Sequence, residues 1–569
     1  MAFQLSPGVN WSEIDLTTVV PAVGTTEGAF VGRFAWGPIN QIVTLSNEVE
    51  LVSTFGKPDN STFIDYFTAA NFLAYARNLK LVRAANTAIA NNATSGNTAV
   101  LITNRDSYEL QYRDLSGANS YGMFAAKYAG ELGNSLKVSL WASANTQAFA
   151  SWTYSGEFNG APGTSVFAAG LNAANDEMHI VVIDEDGKFS GLSNTVLEKF
   201  AYVSKASDAT NDDGSSNYWV NVLNDRSRFI YAMNNAMAAN GLSETTTWGT
   251  AASNTRFAQT NNEYTASLRG GVSGAVSDAN RITGYDLFQN GDEVDISLVM
   301  TGGANSTVAQ YVIDNLVSVR KDCVAFISPE SNDVVNQAGN EATNIIAYKD
   351  SIARSTSYAV MDSGWKYQFD KFNNVYRWVP LNGDIAGLCV RTDYERDPWY
   401  SSAGFSRGQI KNCIKLSWNP DKTDRDELYK NGINPVVTFK GEGTVLYGDK
   451  TMLARPSAFD RINVRRLFIV LEKAISRAAK YSLFEFNDAF TRAQFVALIE
   501  PFLRDVQGRR GIFDFRVVCD ETNNTPEVID RNEFIGDIYI KPARSINYIQ
   551  LNFVAVRTGV SFDEVVGKF

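Results

Sequence analysis

The C-terminal part of the chain has the clearest pattern of apolar and polar positions. Apolar residues recur there at i, i+3, i+4 and i+7, which predicts one face of an amphipathic helix. These residues are Val464, Leu467, Phe468, Leu471, Ile475, Ala478 and Ala479. A second helix is predicted over Phe495–Val506, followed by strands at Phe513–Cys519, Ile535–Ile540 and Ile546–Val556.

Two stretches of alternating strands and helices flank a long polar segment. Before it, the pattern predicts a strand from Gly28, a short helix capped by Ser46, a helix over Phe63–Arg77 and a strand over Leu79–Arg83. After it come strands at Val294–Met300 and Val324–Ile327, and helices at Thr307–Val319 and about 333–353. Residues 84–290 are rich in Asn, Ser, Thr, Ala and Gly, and predict short strands joined by turns. We therefore expect one α/β domain interrupted by a β-rich insertion.

Both ends of the chain predict extended segments. Pro7-Gly8 marks a turn, and a β-prone stretch follows as far as Pro21. An isolated strand of this kind leaves backbone groups unpaired, so it needs the edge of a sheet. That sheet belongs either to its own domain or to a neighbouring molecule, and the pattern fits both equally. Val560–Phe569, after Gly559, predicts a similar segment.

Composition and charge exclude several functions. The 569 residues include 51 Lys and Arg and 62 Asp and Glu, for a net charge of −11. This balance argues against general binding of nucleic acid or of membrane surfaces. No apolar run is long enough to span a membrane and no secretory signal is visible at the start, so we expect a soluble protein. The single histidine, His179, rules out multi-histidine metal sites, and the four cysteines form no CxxC pair.

The motifs that resemble chemical sites are weak. Gly443–Thr451 nearly matches a phosphate-binding loop, but Asp449 stands where that loop needs a lysine and would repel phosphate. Four acidic residues could bind calcium but lack the twelve-residue loop of an EF-hand, so solvated turns fit them better. They are Asp184, Asp186, Asp212 and Asp213. We expect no catalytic residue, no metal ion and no cofactor.

Positive charge is concentrated near the C-terminal end. Between Arg455 and Arg516 there are twelve basic and seven acidic residues, so this segment is positive although the whole chain is negative. Such a face could dock on an acidic partner surface. A solvated helix face with local ion pairs explains the same count equally well.

Several short blocks, taken together and in this order, resemble the tail sheath proteins of contractile-tailed bacteriophages. The resemblance covers 1–92 and 291–569 and is strongest from about 376 to 566, whereas 93–290 match loosely. The blocks are Leu5–Val9, Gly28–Gly32, Trp36–Pro38, Phe55–Pro58, Gly130–Gly133, Asp384–Gly387, Arg391–Asp393, Gly432–Pro435, Tyr447–Thr451, Ile462–Leu467, Phe484–Asn487, Val518–Asp520 and Asn523–Thr525.

The resemblance implies an α+β, or mixed α/β, multidomain fold. An inner α/β core of two discontinuous domains would carry an inserted β-rich outer domain and extended arms at both ends. The expected parts are an N-terminal arm (1–23), a middle α/β domain (24–92 with 291–420), the inserted outer domain (93–290), a C-terminal tube-facing domain (421–557) and a C-terminal arm (558–569).

The same resemblance implies a structural subunit and not an enzyme. Sheath subunits form stacked hexameric rings around a tail tube, and the sheath contracts to drive the tube through the host envelope for genome delivery. The implied partners are further copies of the chain, the tail tube protein, and baseplate and tail terminator proteins at the two ends. Neither nucleic acid nor membrane insertion is implied. The implied location is the tail sheath of the virion, after assembly in the host cytoplasm.

Three groups of residues are expected to act in assembly. The arms would add strands to sheets of neighbouring subunits, and the candidates for this strand addition are Val9, Trp11, Ile14, Leu16, Val19, Ile549, Leu551, Phe553, Val560 and Phe562. Gly24 and Gly559 are the candidate hinges between arms and body. The candidates for contact with acidic residues of the tube are Arg461, Arg465, Arg466, Arg504, Arg509 and Arg510.

The sequence also leaves alternative functions open. A sheath from a bacteriocin-like or secretion contractile injection system fits the same blocks. A hydrolase in the 93–290 insertion would need a deep pocket with paired acids. A host-surface adhesin in that insertion would bind a glycan or host surface when expressed alone.

Overall fold

The computed structural model of the chain describes residues 24–113, 121–233, 247–547 and 550. The chain divides into two compact units at Ala478. We name the described residues as far as Ala478 the main unit, and those from Ala479 onward the terminal unit. The boundary expected after residue 420 therefore lies inside the main unit, and the break between units comes later in the chain.

The first half of the core and the insertion contain nine strands and seven α-helices among the described residues. In chain order they are β1 (Gly28–Gly32), β2 (Ile42–Leu45), α1 (Glu48–Phe55), α2 (Phe63–Leu73), β3 (Leu79–Arg83), α3 (Arg105–Gln111), β4 (Phe124–Ala126), β5 (Leu136–Trp141), α4 (Thr146–Ala150), α5 (Val166–Gly170), β6 (Glu177–Asp184), β7 (Thr195–Ser204), α6 (Trp219–Arg226), β8 (Ile230–Ala232), β9 (Tyr264–Ser267) and α7 (Asp278–Asp286).

The remaining elements complete the core and form the terminal unit. They are β10 (Leu298–Met300), α8 (Ser306–Tyr311), α9 (Ser318–Arg320), β11 (Val324–Ile327), α10 (Ser331–Val334), α11 (Glu341–Ile352), β12 (Ala359–Asp362), β13 (Trp365–Asp370), β14 (Val375–Pro380), α12 (Asn382–Glu395), β15 (Lys415–Leu416), α13 (Lys422–Lys430), β16 (Ile433–Asn434), β17 (Val436–Phe439), β18 (Gly443–Leu446), α14 (Ile462–Ala479), α15 (Ala489–Gly508), β19 (Ile512–Val518), α16 (Pro526–Asp530) and β20 (Asp537–Pro542).

A seven-stranded sheet forms the centre of the main unit, in the order β16-β12-β11-β10-β1-β3-β2. Its pairs are parallel except for β2 with β3. Ala29 of β1 pairs with Lys80 on one side and, across the insertion, with Val299 on the other. The two separated stretches of α/β pattern therefore build one sheet, and the expected mixed α/β multidomain fold is confirmed.

Helices cover both faces of this sheet, as a parallel sheet requires. Phe30 of β1 packs into one core with Phe72 of α2 and Leu388 of α12. Its neighbour Val31 points to the opposite core and packs with Val308 of α8. Helix α7 also lies on that face, and it approaches closely because a Cβ at Gly284 would stand 2.5 Å from Val31 Cγ1. Helix α7 is thus part of the core, although the expected outer domain extends to residue 290.

Several predicted helices differ in their ends or continuity. The helix predicted over about 333–353 is two helices, because Asn336 and Ala338 take left-handed backbone conformations between α10 and α11. The helix predicted over Thr307–Val319 contains a π-helical turn at Val312–Val317. The N-cap of α1 is Asn47, whose side chain accepts the Glu50 N–H at 2.9 Å, and not Ser46.

The insertion is built on antiparallel sheets, as its sequence predicts. Four strands pair in the order β7-β6-β5-β9, and β4 pairs with β8. The short helices α4 and α6 pack against these strands. Large buried side chains such as Trp141, Trp152 and Trp219 fill its interior.

Arg83 ties the insertion to the core. It stands at the end of β3, is fully buried, and donates hydrogen bonds to three backbone carbonyls. These belong to Phe34 at 3.0 Å and Gly37 at 2.7 Å in the core, and to Ala129 at 2.8 Å in the insertion. Burial lowers the pKa of the Arg83 guanidinium to about 10, which still leaves it charged at neutral pH.

We expect Arg83→Met to destabilise the main unit by about 1–3 kcal/mol, because three buried carbonyls lose their donor. Urea unfolding of the purified chain measures this loss. The control Lys188→Met removes an exposed cation and should change the free energy of unfolding by less than about 0.5 kcal/mol. Equal stability of Arg83→Met and the unchanged chain would show that the carbonyls find other donors.

Candidate assembly interface

The terminal unit is a long helix packed on a two-stranded sheet. Helix α15 is capped at its N-terminus by Asp488, whose carboxylate accepts the Thr491 N–H at 2.8 Å. Its buried side chains include Ile499, Leu503 and Val506. Strands β19 and β20 pair antiparallel, with Arg516 opposite Tyr539.

This sheet is open on both edges among the described residues, since neither β19 nor β20 has a second partner there. Two-stranded sheets are marginally stable in water and usually gain further strands or a packed layer. Large side chains on these strands are also exposed, with Phe513 at 70% and Tyr539 at 60%. The pair therefore has the geometry of a site that accepts additional strands.

The positive charge of helix α14 is used inside the main unit. Arg466 is buried and forms an ion pair with Asp393 of α12 at 2.5 Å. The hydroxyl of Thr25, at the start of the described chain, donates to the same carboxylate oxygen. Burial raises the pKa of Asp393, and the neighbouring Arg466 partly offsets that rise. Further along the helix, Lys473 and Arg477 pair with Asp295 at 2.8 and 2.6 Å.

Arg465 is also an internal residue. Its guanidinium lies between the rings of Tyr358 and Phe459, 4.2 and 4.1 Å from their centroids. Its Nε donates to the Ser357 hydroxyl at 3.0 Å. With only 6% and 4% of their surface exposed, Arg465 and Arg466 offer no free charge to a partner, and we remove both from the expected set of tube contacts.

The other expected tube contacts are more accessible. Arg461 is partly exposed, with Asp449 at 3.1 Å and Tyr429 as its partners. Arg504 on α15 and Arg509, directly after its end, are exposed and pair with acids one turn earlier, Glu500 at 3.2 Å and Asp505 at 3.5 Å. Arg510 is exposed just beyond the helix. Ion pairs of this exposed kind stabilise little, so these side chains can exchange partners at low cost.

The strand-addition candidates and the hinge candidate Gly559 lie outside the described residues. Gly24 is exposed at the start of the described chain. A Cβ on Gly24 would meet only the end of the Glu27 side chain. Its role as a hinge remains a prediction.

An exposed apolar loop in the terminal unit was not predicted as a site from the sequence. Five large side chains between α14 and the first turn of α15 are each more than 60% exposed. We name them the apolar loop: Tyr481, Leu483, Phe484, Phe486 and Phe490. The available signal was the block Phe484–Asn487, because its two aromatic residues lie between two predicted helices and outside the apolar face of either.

The residues weighed for chemistry have structural roles. His179 is buried, with Nε2 2.9 Å from the Gly160 carbonyl and Nδ1 accepting the Tyr202 N–H at 3.1 Å. Burial lowers its pKa, which keeps it neutral at neutral pH. Asp184 accepts hydrogen bonds from Ser135 and Ser190 and so orders the turn after β6. Nowhere in the described ranges do three or more possible metal ligands cluster.

A cavity of about 730 Å³ lies between the core and the insertion. The acidic residues of its lining are Asp59 of the core and Glu131 of the insertion, beside four basic residues, Arg33, Lys57, Arg83 and Lys188. It does not contain the pair of insertion acids that the hydrolase hypothesis requires. Across the part of the chain that can be described, no helix is long and apolar enough to cross a membrane.

Comparison with known proteins assigns the family. Residues 28–84 match "Tail sheath protein Gp18 domain III N-terminal region", 291–452 match "Phage tail sheath protein central domain" and 454–555 match "Phage tail sheath C-terminal domain". The tail sheath protein of Vibrio phage KVP40 is 35% identical, over 99% of this chain and 100% of that protein. The chain therefore belongs to the tail sheath protein family of contractile-tailed phages, as its sequence blocks indicated.

Solved structures share the fold. The crystal structure of a sheath tail protein from Desulfitobacterium hafniense aligns with a TM-score of 0.52 and 12% identity, over 95% of this chain and 100% of that one. The helical sheath of the anti-feeding prophage, solved in a contracted state, aligns with a TM-score of 0.50 and 12% identity, over 97% and 99% of the two chains. These likenesses extend through both units.

We expect Arg466→Met to destabilise the main unit by about 3–5 kcal/mol, because Asp393 is left as a buried charge without its cation. Loss of Arg466 raises the already elevated Asp393 pKa further. A carboxyl group with a raised folded-state pKa is neutral more often in the folded state, so the variant should regain stability as the pH falls from about 8 to about 5. Chemical unfolding at both pH values measures this.

The matched variant Arg466→Met with Asp393→Leu removes both charges. Its free energy of unfolding should be close to that of the unchanged chain, and it should not rise further as the pH falls. If Arg466→Met loses the same stability at both pH values, the packing of the long side chain, and not its charge, accounts for the loss.

Proposed function

We propose that this chain polymerises as stacked hexameric rings around a tail tube, and that contraction of the polymer drives the tube through the host envelope to deliver the genome. Membership of the tail sheath family over the whole length of a relative carries this proposal. The structure named as the helical sheath of the anti-feeding prophage in a contracted state adds support, since it has the same fold. The energy comes from the assembled lattice and not from nucleotide hydrolysis, so the chain is not an enzyme.

Strand addition between subunits is the proposed link. The open β19–β20 sheet offers backbone donors and acceptors on both edges, and the arms 1–23 and 558–569 contain the β-prone residues to fill them. Backbone hydrogen bonds are independent of how the joined domains are oriented. A mesh of added strands can therefore stay connected while subunits slide and rotate.

The remaining partners follow from the same role. The tube contacts proposed are Arg461, Arg504, Arg509 and Arg510, while baseplate and tail terminator proteins would bind the ends of the polymer. The polymer would assemble in the host cytoplasm and belong to the virion. A sheath of a related injection system is the second candidate, favoured by the fold shared with the anti-feeding prophage sheath.

Removal of either arm should yield folded monomers that do not polymerise. The variants delete residues 1–20 or 558–569, and negative-stain microscopy at rising concentration, with and without a tail tube, shows whether hollow tubes form. The matched control keeps the N-terminal arm but replaces two of its polar side chains, Ser12→Ala with Thr17→Ala, and should polymerise normally. Normal tubes from either truncated chain would refute strand addition by that arm.

Charge reversal of Arg504, Arg509 and Arg510 to Glu should weaken binding to the tail tube at moderate salt, and added salt should weaken the binding of this variant less than that of the unchanged chain, because the attraction that salt screens is gone. Co-sedimentation with purified tubes at two salt concentrations measures both. The control reverses Arg226, Arg228 and Arg256, which are equally exposed in the insertion. If the two triple variants bind the tube alike, the arginines of the terminal unit are not the tube contacts.

A further inference from the structure

Exposed apolar side chains are concentrated in the terminal unit. Of the 24 large apolar side chains that are exposed in the described chain, nine lie within residues 479–547. The main unit has fifteen, spread over a chain several times longer. The nine comprise the apolar loop together with Phe513, Ile529, Tyr539 and Ile546. Patches of this kind mark surfaces that other molecules cover.

The apolar loop is held in its exposed position by specific bonds. Phe484 is fully exposed and has a left-handed backbone, with φ of 70°, which is rare for a bulky residue. Just after it, Asn487 donates to the Asn524 side chain at 3.1 Å and to the Glu533 carbonyl at 2.8 Å. Arg492 donates to Asn487 in turn. The loop is therefore anchored at its base while its aromatic rings are exposed.

A second apolar surface lies towards the other end of α15. The Gln507 side chain, in the last turn of the helix, donates to the Phe513 carbonyl at 2.9 Å. The Ala543 N–H donates to the Gly511 carbonyl at 3.1 Å, which brings the chain that leads to Ile546 to the same end. We name Phe513 and Ile546, which are 70% and 82% exposed, the end patch. Helix α15 has 20 residues and so separates the apolar loop from this end by about 30 Å.

We infer that the apolar loop of one copy of this chain docks on the end patch of a second copy, in a head-to-tail contact that repeats along the assembly. The inference rests on the proposed polymer. A repeating heterologous contact needs two different surfaces at separate places on each subunit, and the two ends of α15 supply them. An acidic partner such as the proposed tube surface would be met by the exposed arginines of α15, not by five uncharged side chains.

The size of the loop fits part of a subunit interface. Aromatic side chains bury about 150–250 Å² each, so the four aromatic residues of the loop alone can cover at least about 600 Å². A stable interface buries about 800 Å² on each partner. The loop contact thus supplies a large share of an interface whose remainder comes from elsewhere, such as the added strands.

Two double variants of the full-length chain test the contact. The loop variant is Phe484→Ser with Phe486→Ser, and the patch variant is Phe513→Ser with Ile546→Ser. The control is Leu110→Ser with Val166→Ser, which are equally exposed in the main unit, at 84% and 89%. Each test variant should raise the concentration needed for polymerisation at least tenfold, and the control less than twofold, with thermal unfolding of all monomers unchanged.

Mixing the two test variants separates this contact from others. In the mixture, the intact loop of the patch variant meets the intact end patch of the loop variant. Sedimentation should therefore show pairs of about twice 62.5 kDa at concentrations where each variant alone is a monomer. The inference is overturned if the mixture forms no pairs, if both variants polymerise normally, or if the loop variant polymerises normally and loses only tube binding. If the unchanged chain never polymerises, the proposed function fails and this contact fails with it.

Discussion

The pairing of β1 with both β3 and β10 is the interaction on which the rest of the main unit depends. β1 is a five-residue strand with every residue buried, and it joins partners more than 200 residues apart in the chain. A parallel sheet must be covered on both faces, so the chain has to return from the insertion with α7 and α8 already positioned on one face. The insertion can therefore vary in content but has to leave and re-enter the core at fixed places, which agrees with a loose resemblance confined to that region.

Buried basic side chains position the segments of the chain that do not belong to this sheet. Arg83 donates hydrogen bonds to backbone carbonyls of both the core and the insertion. Lys205 does the same within the insertion, where its acceptors are the carbonyls of Ala142, Asn175 and Ala258. Burial lowers the pKa of Lys205 to about 7. Arg466 fastens α14 to Asp393. Unpaired carbonyls and carboxylates in a low-dielectric interior are costly, so each of these buried donors makes alternative placements of its segment unfavourable.

The local sequence patterns predicted those helices and strands whose formation depends on residues close together in the chain. Buried strands such as Leu79–Arg83 and the amphipathic helix α14 appear where the sequence indicates, since their periodicity reflects one apolar side. The inward-facing Arg466 could not be predicted in this way, because its partner Asp393 is distant in sequence and a basic residue on a helix usually faces solvent. The break between α10 and α11 was equally hidden, as nothing before Gly339 signals that Ala338 adopts a positive φ.

The candidate interface was harder to predict than the fold, because the surfaces that would cover it belong to other molecules. The described terminal unit buries Ile499, Leu503 and few other large side chains, while it exposes Phe484, Phe513 and Tyr539. A unit this small that leaves so much apolar surface in water has little stability of its own. If neighbouring copies cover that surface, assembly stabilises the unit by mass action, and folding and polymerisation become linked. Apolar contacts and added strands both tolerate changes of angle better than buried ion pairs do. A chain whose buried ion pairs lie inside the main unit, while its apolar loop is exposed, can thus move as rigid bodies while its contacts between copies are remade.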